Sequence, residues 1–80
     1  MPTPNHPKLP LCSQLAAHKS RYLFASSLFG LLQASPQDRH LDGFHLKGML
    51  CAYMEIGVIS PEQHHDLWNE LHAFVHGAAV

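Results

Sequence analysis

The sequence predicts an all-α fold, a three-helix bundle preceded by a proline-rich arm. Apolar residues recur at three- and four-residue spacing in three separate stretches, the period of a helix that buries one face. The serine–proline pairs Ser35-Pro36 and Ser60-Pro61 precede the second and third stretches, as expected of an N-cap and a first helical residue. Between residues 13 and 77, no stretch shows the period-two alternation that indicates a strand.

The first segment, residues 1–12, is predicted to be a flexible arm. Its four prolines are Pro2, Pro4, Pro7 and Pro10. Proline removes the backbone donor that a helix needs, and closely spaced prolines favour polyproline II. The chain therefore divides into this arm and a single helical domain over residues 13–77, as expected for a length of 80 residues.

The first helix is expected to run from about residue 13 to residue 34, with Ser13 as its N-cap. Two adjacent rows of apolar side chains follow the helical repeat on this stretch. They are Leu15, Tyr22, Ala25, Phe29 and Leu32 in one row, and Phe24, Leu28 and Leu31 in the other. The resulting face is about half the circumference wide, broader than a surface helix needs. Because a short chain has little core in which to bury such a face, its breadth predicts a homodimer.

The second and third helices are predicted to form an antiparallel hairpin at the C-terminal end of the bundle. The second helix starts near Pro36 and ends at Gly57, a residue suited to a left-handed C-cap. Ser60 and Gln63 supply a capping box for the third helix, which Gly77 ends. The link between the two helices is so short that they must fold back on each other.

Composition and charge narrow the class of protein. Hydrophobic residues make up 46% of the chain and charged residues only 14%, whereas average soluble proteins have about 25% charged residues. A chain so poor in charge is expected to cover some apolar surface with a second molecule. The net charge is −1, and residues 48–80 contain no Lys or Arg. A nucleic-acid binder concentrates basic residues on one face, so nucleic acid is not the expected partner.

A cytoplasmic location is predicted, without membrane contact. The sequence has no apolar run long enough for a membrane span and no apolar segment typical of a secretory signal. It has two cysteines, and a single pair does not make the disulfide framework of a small secreted domain. Both thiols are therefore expected to be reduced.

Histidine is the most unusual part of the composition, with eight in the chain. His65, His72 and His76 fall within about 40° of one another around the third helix, beside its apolar face. His72 and His76 are four residues apart and suit one metal ion, for which His65 and Cys51 are further candidate ligands. Neither a Cys-x-x-Cys nor a His-Glu-x-x-His pattern is present. A metal-binding protein is therefore an alternative, and the main prediction is that the chain has no cofactor.

An enzyme is not expected. Three short helices leave little room for the fitted pocket that a Cys–His nucleophile pair needs, and Cys51 lies in an apolar stretch typical of a core thiol. A helix-turn-helix regulator that binds DNA is the second alternative, with the third helix as its recognition helix. The outward residues of that helix include Glu62 and Asp66 but no Lys or Arg, which disfavours contact with phosphates.

The function that the sequence favours is binding to another protein, without chemistry of its own. Large aromatic and methionine side chains are typical interface anchors. The candidates are Trp68, Phe44, Tyr22, Tyr53 and Met54. Glu62 and Asp66 form an acidic outer face on the third helix, which suits a basic surface on a partner. By analogy with small bacterial and phage proteins, the predicted role is that of a regulator or inhibitor that occludes a larger protein.

Overall fold

The computed structural model describes residues 5–77, and every regular element among them is a helix. The elements are α1 (Pro10–Ala16), a 3-10 turn (Lys19–Arg21), α2 (Tyr22–Gln33), α3 (Arg39–Glu55) and α4 (Pro61–His76). No strand occurs in this part of the chain, so the predicted all-α class is confirmed. Each helix packs on two neighbours, because α1 and α3 both contact α2 and α4. The four helices thereby enclose one core.

The core contains apolar side chains from all four helices and from the segments that flank them. Those that are buried are Leu9, Cys12, Ala16, Phe24, Leu28, Leu31, Leu46, Leu50, Ile59, Leu67 and Leu71. One row of the broad face predicted for the first helix lies entirely in this core, and members of the other row pack partly buried against it. A single chain therefore buries most of that face, which leaves the low fraction of charged residues as the remaining basis for the predicted homodimer.

The first predicted helix is divided in two, which corrects the expected number of three helices to four. α1 ends at Ala16, and His18 has an extended backbone with φ −71° and ψ 131°. The Nδ1 atom of His18 accepts a hydrogen bond from the Ser20 N–H at 3.3 Å. This side-chain acceptor caps the following turn and competes with continuation of the helix. The break lets α1 and α2 pack on the core in different directions.

The segment predicted to be a flexible arm is partly folded into the core, which is a second correction. Leu9 and Cys12 are fully buried. Pro10 is the first residue of α1, a position where its missing N–H leaves no helical hydrogen bond unmade. Ser13, expected to be an N-cap, is instead buried within α1 and accepts a hydrogen bond from the His6 N–H at 3.2 Å. The first four residues of the predicted arm lie outside the described part of the chain.

The N-terminus of α1 is capped by a residue that is distant in sequence. Leu9 occupies the N-cap position and makes no side-chain cap. Glu70 of α4 supplies the acceptors, because its Oε2 accepts from the Leu11 N–H and its Oε1 from the Cys12 N–H, each at 2.9 Å. A carboxylate at a helix N-terminus also interacts favourably with the helix dipole. These two hydrogen bonds fasten the first helix to the last.

α3 and α4 are joined by a short turn and run antiparallel. The contacting pairs are Gly43 with Val75, Lys47 with His72, and Cys51 with His64. α3 begins at Arg39 rather than near Pro36, since residues 36–38 form a turn. Gly57, at φ 81°, has the left-handed backbone that glycine adopts without strain. Ser60 and Gln63 form the predicted capping box, with hydrogen bonds of 3.1 and 2.8 Å.

Candidate functional site

Several large apolar side chains are exposed in the described structure. They are Leu11, Tyr22, Leu23, Leu41, Phe44 and Ile56. Leu41 and Phe44 are 61% and 67% exposed, and a spacing of three residues places them on the same face of α3. None of the helices between residues 5 and 77 combines the length and the apolar content needed to cross a membrane. The outward face of α3 thus has two adjoining exposed apolar groups.

Five side chains on the outward side of α3 and α4 form a continuous cluster, which we call the Lys47 cluster. Its members are Phe44, Lys47, Trp68, His72 and His76. The first two are three residues apart on α3, and the other three follow at four-residue intervals on α4. Such spacings place side chains on one face of a helix. The antiparallel packing of the two helices then brings Lys47 opposite Trp68 and His72.

Lys47 lies at the centre of the cluster. Its Nζ atom is 4.2 Å from the centre of the Trp68 ring and 5.7 Å from that of Phe44, within the range of cation–π contacts. The same atom donates a hydrogen bond to Nδ1 of His72 at 3.1 Å. The His72 ring stacks on Trp68, with 4.8 Å between centroids and 10° between planes. It also lies 4.4 Å from the His76 ring, so contacts on several sides hold the lysine head group in place.

The surroundings lower the pKa values of two basic groups in the cluster. Desolvation lowers the pKa of Lys47, since the Trp68 ring covers one side of its ammonium group. Partial desolvation, followed by the charges of Lys47 and His76, lowers the pKa of His72. An ammonium group only donates, so Nδ1 of His72 must accept, which requires the tautomer with its proton on Nε2. The cluster therefore places one cation beside a neutral imidazole.

The structure separates the seven side chains predicted to bind a partner. Phe44 and Trp68 meet in the Lys47 cluster. Tyr53 instead packs inward, with its ring 6.1 Å from that of Phe24 and 5.1 Å from the Arg21 guanidinium. Burial raises the pKa of Tyr53, and the nearby Arg21 partly offsets this effect. Tyr53 therefore belongs to the contact between α2 and α3.

The other four candidates lie outside the Lys47 cluster. Met54 packs partly buried against the core. Tyr22 is exposed at the first residue of α2, and Glu62 is exposed in the first turn of α4. Asp66 is exposed and lines a groove between α1 and α4, together with Leu11. The predicted anchors thus divide among several surfaces, and only one pair of them shares a site.

The four predicted metal ligands do not converge either. His72 and His76 belong to the Lys47 cluster, whereas Cys51 pairs with His64, with 3.4 Å between Sγ and Nε2. Throughout the described part of the chain, no group of three or more His, Cys, Asp or Glu side chains is placed to share a metal ion. Cys51 therefore pairs with His64 rather than with the histidines predicted to share a metal ion with it.

The pairing of His64 with Cys51 is missed when the residue pattern of each helix is considered alone. On α4 the neighbouring His65 points elsewhere, with its Nε2 3.0 Å from Nδ2 of Asn69. The missing signal is the register of the hairpin, counted outwards from Gly57. Cys51 lies six residues before that glycine, and His64 lies seven after it. Four residues further from Gly57 along each helix, the same count pairs Lys47 of α3 with Trp68 of α4, which meet in the Lys47 cluster.

Cys12, the other cysteine of the chain, is not available for reaction. Cys12 is buried in the core, while Cys51 is exposed. Burial, followed by the charge of the Glu70 carboxylate, raises the pKa of the Cys12 thiol, and a protonated thiol is neither a good nucleophile nor a metal ligand. Thiol chemistry in this protein is therefore confined to Cys51.

The Lys47 cluster contains two aromatic side chains of the kind that is enriched at interface centres, beside a lysine, a residue type that is depleted there. Phe44 exposes its ring, while Trp68 is half-buried. No protein-family model, curated protein or solved structure matches the chain.

Proposed function

We propose that this protein is a small, non-catalytic protein-binding module that regulates or inhibits a larger protein by covering part of its surface. Its docking surface is the Lys47 cluster. The observation that carries the proposal is the position of the Lys47 Nζ atom, 4.2 Å from the ring centre of Trp68 and 5.7 Å from that of Phe44. Because the anchors come from two packed helices, little conformational entropy is lost when a partner binds.

Phe44 is the apolar anchor of this surface. Its side chain is 67% exposed, and full burial of a phenylalanine side chain contributes about 1.5–3 kcal/mol relative to exposure. Aromatic side chains supply a large contact area with few rotatable bonds to order. We therefore expect the partner to present an apolar pocket that accepts this ring.

Lys47 determines the polar group that the partner should carry. An ammonium group has three donors, and the bond to His72 uses one of them. The remaining donors can reach acceptors on a partner, and the Trp68 ring already excludes water from part of the group. A carboxylate is the acceptor that forms the strongest hydrogen bond with such a cation. The expected partner surface therefore has an Asp or Glu beside its apolar pocket.

The exposed carboxylates of α4 favour a protein partner over DNA. Glu62 and Asp66 are exposed on α4, the helix that would have to enter the major groove, and they would repel phosphate groups. A gel shift on duplex DNA distinguishes the two functions. A DNA-binding regulator would shift the duplex and lose affinity steeply with added salt, whereas a protein-binding module should cause no shift.

Affinity capture with matched variants tests the proposal. The wild-type chain and Ile56→Ala, which truncates a side chain 73% exposed just beyond the end of α3, should recover the same partner from cells that produce this protein. Phe44→Ala and Lys47→Glu should weaken binding of the purified partner at least about tenfold, as expected for an anchor worth about 1.4 kcal/mol. Far-ultraviolet circular dichroism should show that all variants fold. Equal affinity of the wild type and Phe44→Ala would reject this docking surface.

A further inference from the structure

Cys51 and His64 form a pair of metal-ligating side chains outside the Lys47 cluster. Cys51 is on α3 and His64 on α4, and the distance from Sγ to Nε2 is 3.4 Å. The cysteine is exposed and the histidine is half-buried. We infer that these two atoms are half of a tetrahedral Zn²⁺ site, and that the same two residues of a second copy of this chain complete it.

The separation of the two atoms matches that of two zinc ligands. Zn²⁺ lies about 2.3 Å from a cysteine sulfur and about 2.0–2.1 Å from a histidine nitrogen. Ligands at these distances and at a tetrahedral angle are about 3.5 Å apart, and Sγ of Cys51 is 3.4 Å from Nε2 of His64. Because the pair is held by two packed helices, neither backbone has to move when Zn²⁺ binds.

Binding of Zn²⁺ at this pair displaces one proton for each thiol. The Cys51 thiol releases its proton to solvent, and the thiolate sulfur then donates an electron pair to the metal, as does the neutral His64 imidazole. The oxidation state of zinc does not change. Cys12 does not compete for the metal, because it is fully buried. Thiolate and imidazole together are a ligand set typical of zinc.

The need for a second copy follows from the number of ligands. Structural zinc sites are four-coordinate, and within residues 5–77 no third His, Cys, Asp or Glu joins the pair. A twofold symmetric interface contributes each residue twice, which gives two cysteines and two histidines. Gly48 lies one turn before Cys51 on the exposed face of α3, and a Cβ there would meet no atom within 4 Å. A second α3 can therefore approach this face closely.

Titration of the reduced, purified full chain with Zn²⁺ tests the inference. We expect one Zn²⁺ for every two chains, since four ligands are needed, and a change from monomer to dimer in sedimentation analysis. Cys51→Ser and His64→Ala should each weaken zinc binding at least about a hundredfold. Even the loss of a residue that only hydrogen-bonds to a metal ligand weakens metal binding about 10–100-fold. His65→Ala is the matched control. Its Nε2 contacts Asn69, so zinc binding and dimerisation should not change.

Cobalt provides a second readout that does not depend on mass. Co²⁺ bound in place of zinc should give a thiolate-to-metal charge-transfer band that is absent from Cys51→Ser. The inference is overturned if Cys51→Ser keeps wild-type zinc affinity, if His72→Ala rather than His64→Ala abolishes binding, or if each chain binds its own Zn²⁺ without dimerising. It is also overturned by a dimer that forms without zinc and dissociates on reduction, which would indicate a disulfide.

Discussion

At the scale of single residues, the chemistry of His72 depends on its neighbours. Its Nδ1 atom accepts a hydrogen bond from Lys47 of α3, and its ring contacts those of Trp68 and His76 of α4. Protonation would remove the acceptor and place a second cation beside the ammonium group. The folded protein therefore favours the neutral imidazole, in agreement with the lowered pKa of His72.

We expect the protein to lose stability as the pH falls below about 6.5, the ordinary pKa of histidine. Because the pKa of His72 is lowered in the folded state, the unfolded chain binds the proton first as the pH falls. The contribution of His72 to the free energy of unfolding is fully present above its unfolded-state pKa. It is lost as the pH falls towards its folded-state pKa. Urea unfolding midpoints at about pH 7.5 and about pH 5.5 would measure this loss.

The variant His72→Gln isolates the contribution of this side chain to the pH dependence of stability. It should reduce the difference between the two midpoints. His45→Gln, which replaces an exposed histidine of α3, should leave the difference as it is in the wild type. An identical pH dependence in the wild type and His72→Gln would show that the contacts of the Lys47 cluster do not control this titration.

At the scale of helices, α3 contains two glycines with opposite surroundings. A Cβ at Gly43 would lie 2.9 Å from Cγ2 of Val75, whereas one at Gly48 would meet nothing within 4 Å. Glycine inside a helix costs about 1 kcal/mol relative to alanine. At Gly43, the absence of a side chain offsets this cost, because it allows α3 and α4 to pack closely. At Gly48, packing within one chain does not require a glycine.

We expect alanine at these two positions to change the stability of the zinc-free chain in opposite directions. Gly48→Ala should raise the free energy of unfolding by about 1 kcal/mol. Gly43→Ala should lower it by about 1–3 kcal/mol, because the β-branched Val75 has few rotamers with which to avoid the new methyl group. In a Val75→Ala background, Gly43→Ala should become stabilising. Urea unfolding tests all of these variants, and a stabilising Gly43→Ala in the wild-type background would contradict the close packing.

The limits of α4 could be predicted from sequence, whereas the break between α1 and α2 could not. A helix cap is local: Ser60 and Gln63 are three residues apart and bond to each other, so the pattern itself contains the interaction. Residues 18–21 are polar but contain no proline or glycine, and apolar residues recur at helical spacing on both sides of them, so the pattern alone joins the two helices. At the break, Nδ1 of His18 accepts a hydrogen bond from the Ser20 N–H, a cap made by histidine rather than by the Ser, Thr, Asp or Asn that usually indicate a helix start.

At the scale of the whole molecule, the N-terminal segment closes the core. Leu9 is fully buried, and Glu70 binds the first turn of α1. Phe74 of α4 is contacted by the His6 ring, with 5.2 Å between centroids, and by the Arg39 guanidinium, 5.0 Å from its ring centre. These contacts join the N-terminal segment to α3 and α4. In a chain of 80 residues, each such contact is a sizeable part of a small margin of stability.

We expect Leu9→Ala to lower the free energy of unfolding by about 2–5 kcal/mol, the usual cost of removing a buried leucine side chain. Small domains have about 5–15 kcal/mol in total, so the urea midpoint should fall sharply. Leu11→Ala is the control in the same segment: its side chain is 38% exposed, and its loss should cost about 1 kcal/mol or less. Equally small effects of the two substitutions would mean that the segment is not part of the core.

The helical class, the turn at Gly57 and the capped start of α4 could all be predicted from the sequence, because each of them depends on residues within a few positions of one another. The tertiary structure alone decided which distant groups meet. It placed Lys47 beside Trp68, and it set a carboxylate of the last helix against the first turn of α1. Such contacts depend on the register in which helices pack. Counting from Gly57 gives that register once α3 and α4 are known to pair, whereas no local pattern of residues brings Glu70 to α1.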